Sequence, residues 1–372
     1  MPHALLRLRA PGKLMIAGEY AVLEPHQPSL VAAVDRYVNV EIALSPENLL
    51  SVPDWGIEAV RFADIGGEVR FTPPEPRLRF VERALAVTLA HLREQFLLPL
   101  SFHLTITSEL ESPDGRKIGL GSSAAVVVAV VAAVLHLLGD EDEGPVSPDL
   151  VFKLAAIAHF QAQGSGSGAD VAASTYGGWL RYSSFQPDWL RGRLDRRGPL
   201  YKLLDENWPF LSVTPLEVPS DLCLCVGWTG EPASTGPMIT RVQSLRATAP
   251  EAYGNFLKTS AEAVEALIAA LQHGEASRAL AAIAANRVAL QRLGEAAAVQ
   301  IETPGLSELS RWAEVCGGSA KPSGAGGGDC GVALIEGAER AVSLQAAWRK
   351  AGIEPLDLAI AETGVTVTRV EA

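Results

Sequence analysis

"DGRKIGLGSSAAVVVAVVAAVLHLL", residues 114–138, decides how this chain is read. Two glycines and two serines lead straight into a run of alanine and valine. The unbroken apolar stretch from Ala124 to Leu135 ends at His136. It is too short for a membrane span, which needs about 20 residues. Without a polar stripe, it predicts a helix covered on all sides. The glycines ahead of it let backbone N–H groups approach an anion. A helix starting just behind them adds its positive end. Ser122 and Ser123 supply hydroxyls for a phosphate or a metal ion. The same letters also describe a plain helix start with serine as N-cap. Taken alone, the loop leaves both readings open.

Two familiar nucleotide patterns match poorly. A Walker A loop requires G-x-x-x-x-G-K-[ST]. "RLRAPGKLM" contains Gly12-Lys13 but neither the earlier glycine nor the following hydroxyl. A dinucleotide fingerprint must follow a strand directly. Gly119, Gly121 and Ala124 fit by letter, yet "ESPDGRKI" separates them from the preceding strand. "GGGDCG" from Gly326 leads into a strand rather than a helix.

The whole chain has 372 residues, 48% hydrophobic and 20% charged, which is ordinary globular composition with room for two domains. A formal charge of −12 argues against nucleic acid or an anionic membrane as the main partner. "MPHALLRLRAPGK" has no apolar run of signal-peptide length. Cys223, Cys225, Cys316 and Cys330 form no C-x-x-C and lack a His pair at zinc spacing. These features point to a reducing cytoplasm and no structural metal.

Upstream of the loop, "HALLRLRAPGKLMIAGEYAVL" predicts a strand, a Pro-Gly break and a second short strand. "SLVAAVDRYVNVEIALS" and "LSFHLTITSEL" read as further strands, and "RLRFVERALAVTLAHLREQF" has helical spacing. The acidic run at 140–144 reads as a solvated loop. A helix follows over 149–162. "SGSGADVAASTYGGWLRY" reads as a glycine-rich turn, a short helix and a strand. Residues 186–212, rich in Arg, Pro and Trp, read as irregular. The domain boundary is drawn there, giving domains 1–212 and 213–372. The second half opens with the strand "DLCLCVGWT", then an antiparallel helix pair over 251–272 and 275–293. After these come the helix "PGLSELSRWAEVCG", the strand "CGVALIE", the helix "AERAVSLQAAWRKAG" and the strand "AETGVTVTRV". Strands and helices mixed without a βαβα rhythm indicate α+β. Trp179 and Trp228 read as core residues.

Glycine-rich stretches at 119–124, 164–169 and 324–328 stand far apart. In order, "APGKLMIAGEYAVL", "GLGSSAAV" and "KPSGAGGGDCGVAL" resemble the three motifs of the GHMP kinases, a pattern covering residues 10 to 334. "GEYAVLEP", "GSGADVAASTYGGWLRY", "VGWTGEPAST" and "IETPGLSELS" are similar to the phosphomevalonate kinases within that superfamily. The resemblance implies a two-domain α+β GHMP kinase fold, in which the N-terminal domain carries a left-handed βαβ unit. The C-terminal domain would be ferredoxin-like, with the site between the two. It implies ATP and Mg²⁺ as cofactors. The implied reaction turns (R)-5-phosphomevalonate into (R)-5-diphosphomevalonate in the mevalonate pathway of isoprenoid biosynthesis. The alternatives are another small-molecule kinase of the superfamily, above all a mevalonate kinase, or a catalytically inactive ATP-binding regulator.

The resemblance also implies roles for residues. Lys13 and Asp170 match catalytic positions, with Lys13 neutralising charge near the transferred phosphoryl group. Lys117, Gly119, Leu120, Gly121, Ser122, Ser123, Ala124 and Ala125 would hold the ATP phosphates, with Ser123 on Mg²⁺. Glu19, Tyr20, Ser167, Gly168, Ser323, Gly324, Ala325 and Gly326 would face the substrate. Where several relatives place a metal-ligating Glu, this chain has His159, so the metal's second protein ligand is open. By itself His159 reads as a helix-face histidine. Positive charge around a phosphorylated acceptor has Lys13, Arg36, Lys117, Arg181 and Lys321 as candidates. A phosphate monoester has a second pKa of about 6, so its attacking oxygen is already ionised. Asp170 is therefore expected to orient Lys13 or the metal rather than take a proton.

Overall fold

The first strand, β1 (Leu5–Ala17), does not stop at Pro11-Gly12. Its register against β2 (Ser29–Leu44) shifts between those two residues, so a bulge absorbs them. Pro11 has no N–H for the ladder, and a bulge is where a strand tolerates that. Gly12 permits close approach. A Cβ on it would lie 2.6 Å from Leu110 Cδ2 and 2.8 Å from the Leu120 carbonyl oxygen. The Lys13 N–H donates to that carbonyl at 2.8 Å. The expected break is instead the point where the strand receives the glycine loop.

The computed structural model describes residues 5–97, 100–112, 115–139, 145–218, 222–232 and 235–370; the acidic run at 140–144 lies outside them. Beyond β2 the first half holds β3 (Leu49–Val52), β4 (Ile57–Ile65), β5 (Glu68–Thr72), α1 (Arg79–Glu94), β6 (Phe102–Ser108) and α2 (Ser122–Leu138). It continues with α3 (Pro148–Gln163), α4 (Ala169–Tyr176), β7 (Trp179–Ser183), α5 (Pro187–Asp195), α6 (Leu200–Asp205) and β8 (Ser212–Leu216). The second half holds β9 (Leu222–Trp228), α7 (Thr235–Thr248), α8 (Pro250–Gln272), α9 (Ala276–Ala297) and α10 (Pro304–Val315). It ends with β10 (Ser319–Pro322), β11 (Cys330–Glu336), α11 (Ala338–Lys350), β12 (Glu354–Leu356) and β13 (Thr366–Val370).

Two sheets result, in the expected two-domain α+β arrangement. The nine-stranded sheet runs β13-β1-β2-β6-β3-β4-β5, with β7 on β2 and β8 on β7. The four-stranded antiparallel sheet runs β10-β11-β9-β12. Counted within its own domain, that order is 2-3-1-4, the ferredoxin-like order. The division at 212/213 is corrected by two pairings. β8 joins β7, and β13 joins β1, so the first sheet takes residues 212–216 and the end of the chain as well. Residues 186–212 are not irregular either. Pro187 opens α5, and α6 buries Leu203 and Leu204.

Helix α2 is buried from Ala124 to Leu135, with only Val126 partly exposed. It packs on β1 and β2 and against α1, α3 and α4. Valine is a poor helix former, at a cost of up to about 0.7 kcal/mol each. Burying a valine side chain gains roughly 1.5 kcal/mol or more. Packing therefore holds this helix despite its β-branched sequence, and so fixes the loop at its N-terminus.

Candidate active site

The β1 bulge sends Lys13 along the first glycine loop. Its Nζ donates to the Gly119 carbonyl at 3.2 Å. Gly121 has φ +82°, and a Cβ there would lie 2.9 Å from Lys13 Cγ. Gly121, rather than a serine, occupies the cap position of α2, and no side chain caps that end. The N-cap reading of the serines therefore does not hold. The N–H groups of residues 119–123 find no acceptor among the described residues. A row of free donors at a helix N-terminus, beside a lysine, is a cradle for an anion.

Ser123 and Asp170 meet through His159. Ser123 Oγ lies 3.1 Å from His159 Nε2, which lies 4.0 Å from Asp170 Oδ2. His159 is 4% exposed and stacks on Phe80, with ring centroids 5.2 Å apart. Asp170 sits in the first turn of α4, and its Oδ1 accepts from the Val171 N–H at 3.0 Å. Among the described residues Asp170 makes no ion pair with Lys13, so the expected orienting contact is not made directly. The second glycine loop is clamped from outside. Tyr182 OH and Ser184 Oγ donate to the Ser167 carbonyl at 2.5 and 2.8 Å. A Cβ on Gly168 would meet the Phe185 ring at 2.8 Å. Burial pushes the Tyr182 phenol far above its usual range, and the Asp170 charge adds to this, so Tyr182 stays a donor. Ser174 Oγ ties α4 to the bulge by donating to the Pro11 carbonyl at 2.7 Å.

The third loop is strapped to both domains. Ser323 Oγ donates to the Met15 carbonyl at 2.9 Å, and Tyr20 OH to the Ala325 carbonyl at 2.6 Å. The Gly327 N–H donates to Ile301 O at 2.8 Å. A Cβ on Gly326 would lie 2.2 Å from that same oxygen. Lys321 Nζ donates to the carbonyls of Ile16 and Pro322 at 3.0 and 2.7 Å and to Glu19 Oε1. Burial pushes the Glu19 carboxyl above the usual carboxylate range and the Lys321 ammonium below its own; each partner's charge opposes that shift. Glu19, Tyr20 and Lys321, expected around the ligands, are thus buried supports of the loop. Among the described residues no atom lies within 4 Å of a Cβ placed on Gly324, so it faces open space.

Of the other expected cations, Lys117 is exposed, and Arg181 is engaged by Glu265 at 2.5 Å. Asp329 was missed. It follows three glycines, is held at φ +51°, and its Oδ2 would lie 3.1 Å from a Cβ on Gly119. The sequence signal for it is a charged residue directly after three glycines, Gly326 to Gly328. No cluster of three His, Cys, Asp or Glu side chains able to hold a metal occurs among the described residues. The oxygen donors Ser123 and Asp170 fit Mg²⁺, which is held by one or two protein ligands and completed by phosphate and water.

Beside the loop lies a cavity of about 810 Å³, lined by Ile118 and Leu120, the neighbours of Gly119, and by Arg36, Asp54, Trp228 and Leu356 among others. That volume suits a nucleotide-sized ligand. Trp228 is 4% exposed, as expected of a core residue, yet it also forms a wall here, with the Arg116 guanidinium 4.6 Å from its ring centre.

Residues 79–178 match the family model of the GHMP kinases N terminal domain, and residues 263–354 that of the GHMP kinases C terminal domain. This chain is a GHMP kinase. The kinase is 37% identical over 369 residues to a phosphomevalonate kinase of Streptomyces sp. (strain CL190), covering 96% of this chain and 97% of that one. A crystal structure of a Listeria innocua protein matches with TM-score 0.91 at 36% identity, over 98% of this chain and 99% of that one. The Streptococcus pneumoniae phosphomevalonate kinase, solved with phosphomevalonate and AMPPNP, matches with TM-score 0.81 at 28% identity, over 98% and 99%. No described helix of the kinase is long and apolar enough to cross a membrane.

Proposed function

We propose that this kinase transfers the γ-phosphoryl group of ATP to (R)-5-phosphomevalonate, forming ADP and (R)-5-diphosphomevalonate, in the cytoplasm. The full-length likeness to the Streptomyces phosphomevalonate kinase carries the reading. Four free cysteines fit a reducing compartment. An uncommitted row of N–H donors, with Lys13, Ser123 and Asp170 all retained, speaks against an inactive regulator.

In this reading the N–H groups of residues 119–123 bind the ATP phosphates, and the nucleoside lies in the cavity past Ile118 and Leu120. The acceptor oxygen arrives ionised, so the barrier is an anion attacking an anion. Phosphoryl transfer then asks for positioning and charge neutralisation more than covalent help. Lys13, fixed on the loop, supplies a preorganised charge, and one such group is worth roughly 3–4 kcal/mol. Ser123 and Asp170 would hold Mg²⁺, which would supply charge neutralisation for the transferred group. Ser323 and Gly324 close the site from the second domain.

A coupled ADP-release assay over phosphomevalonate, mevalonate, homoserine, galactose and diphosphomevalonate tests the assignment. Phosphomevalonate gives the highest kcat/KM. A tenfold preference for mevalonate or homoserine, about 1.4 kcal/mol in transition-state binding, overturns it.

A further inference from the structure

We propose that His159 is a positioning residue for the metal site: it accepts the Ser123 hydroxyl proton and so turns that oxygen's lone pairs toward the cation. The inference rests on the kinase reading above and on Ser123 as a ligand. A neutral hydroxyl that binds a cation keeps its proton, and that proton must point away from the metal to an acceptor. Among the described residues the acceptor available to Ser123 Oγ is His159 Nε2, at 3.1 Å. An accepting Nε2 makes the ring neutral, with its proton on Nδ1. The same nitrogen is 4.0 Å from Asp170 Oδ2, outside hydrogen-bond range. Asp170 therefore keeps that oxygen for the metal, while its Oδ1 is taken by the Val171 N–H.

The ring is also held in place. His159 lies on α3, 4% exposed, and its ring stacks on Phe80 at an interplanar angle of 29°. The Arg79 guanidinium sits 4.9 Å from the centre of the Phe80 ring. A locked imidazole behind a ligand is the arrangement by which outer groups fix ligand orientation. With Nε2 committed to Ser123, His159 acts through that serine and does not bind the metal itself.

The test uses the full-length kinase with ADP, and Mn²⁺ as the probe, followed by electron paramagnetic resonance. No acceptor is present, so the outcome is independent of which substrate is phosphorylated. His159→Phe keeps a ring against Phe80 and removes the acceptor. His159→Gln restores an acceptor oxygen. The first variant weakens Mn²⁺ binding about 10- to 100-fold, and the second recovers part of the loss. ADP affinity without metal and the melting temperature stay near wild type. In a Ser123→Ala background, His159→Phe has no further effect. Pulsed spectra of the wild-type complex show no nitrogen bonded directly to Mn²⁺. Unchanged Mn²⁺ affinity in His159→Phe, a directly bonded nitrogen, or a wild-type complex that takes up no Mn²⁺ would each overturn the proposal.

Discussion

Lys13 and Lys321 both belong to glycine-rich motifs, and both read from sequence as cations for a phosphate. The structure treats them oppositely. Lys321 is fully buried, and its ammonium serves Glu19 and two carbonyl oxygens. Lys13 is half-buried and, among the described residues, has one carbonyl contact, at 3.2 Å, beside a row of N–H groups that find no acceptor there. An ammonium with three partners and no solvent path has nothing left for a ligand. One with a single long contact does. The comparison shows that motif membership does not assign a role. Burial and the count of satisfied donors do.

The largest expected effect is on the buried pair. Lys321→Met leaves the Glu19 carboxylate buried without its counter-charge and lowers stability by about 3–5 kcal/mol, read by chemical denaturation. The double variant Glu19→Leu/Lys321→Met removes both charges and recovers much of that loss. A Lys321→Met protein as stable as wild type but inactive would erase the contrast between the two lysines.

Lys13→Met is expected to lower kcat at least 10²-fold, roughly 3 kcal/mol. Its stability stays within about 0.5 kcal/mol of wild type. Parallel kinetics and melts on the two methionine variants sharpen the comparison, because each lysine should fail in only one assay.

Gly121→Val probes the Lys13 side from the glycine loop. The left-handed backbone costs a branched side chain about 1–2 kcal/mol, and its Cβ would press on Lys13 Cγ at 2.9 Å. Nucleotide binding, read by calorimetry, is lost while the fold survives. ATP affinity equal to wild type would mean that the loop is only a helix start. Ser123→Ala removes one hydroxyl, so it slows turnover and raises the metal concentration needed for half-maximal rate. Melting stays unchanged.

Much of the scaffold was legible in the sequence for physical reasons. Helix α2 announced itself by an apolar run with no polar stripe, and β1 and β2 by long alternation. What stayed hidden was short or non-local. Helices α5 and α6 are brief, nine and six residues, so their periodicity has too few turns to register. The Pro-Gly dipeptide reads as a break because its bulge is defined only by the partner strand and by the loop seated on Gly12. Glu19 and Lys321 are 302 residues apart, and no local pattern reveals that the fold buries them together. His159 looked like a helix-face histidine because its partner, Ser123, lies 36 residues upstream on another helix. Positive φ at Gly119, Gly121 and Gly168 is a requirement that sequence records directly, in the glycine itself.

We propose that fixed charge from Lys13 drives transfer, with Asp170 placing groups rather than accepting a proton. The most direct test is kcat as a function of pH, between about 7 and 9, for wild type, Lys13→Met and Asp170→Asn with phosphomevalonate. Asp170→Asn keeps the side chain's shape and an acceptor for the Val171 N–H, so a smaller loss than in Lys13→Met is expected, with no new dependence on deprotonation. An Asp170→Asn enzyme that is the less active of the two, and is partly rescued at high pH, would instead make Asp170 a true base.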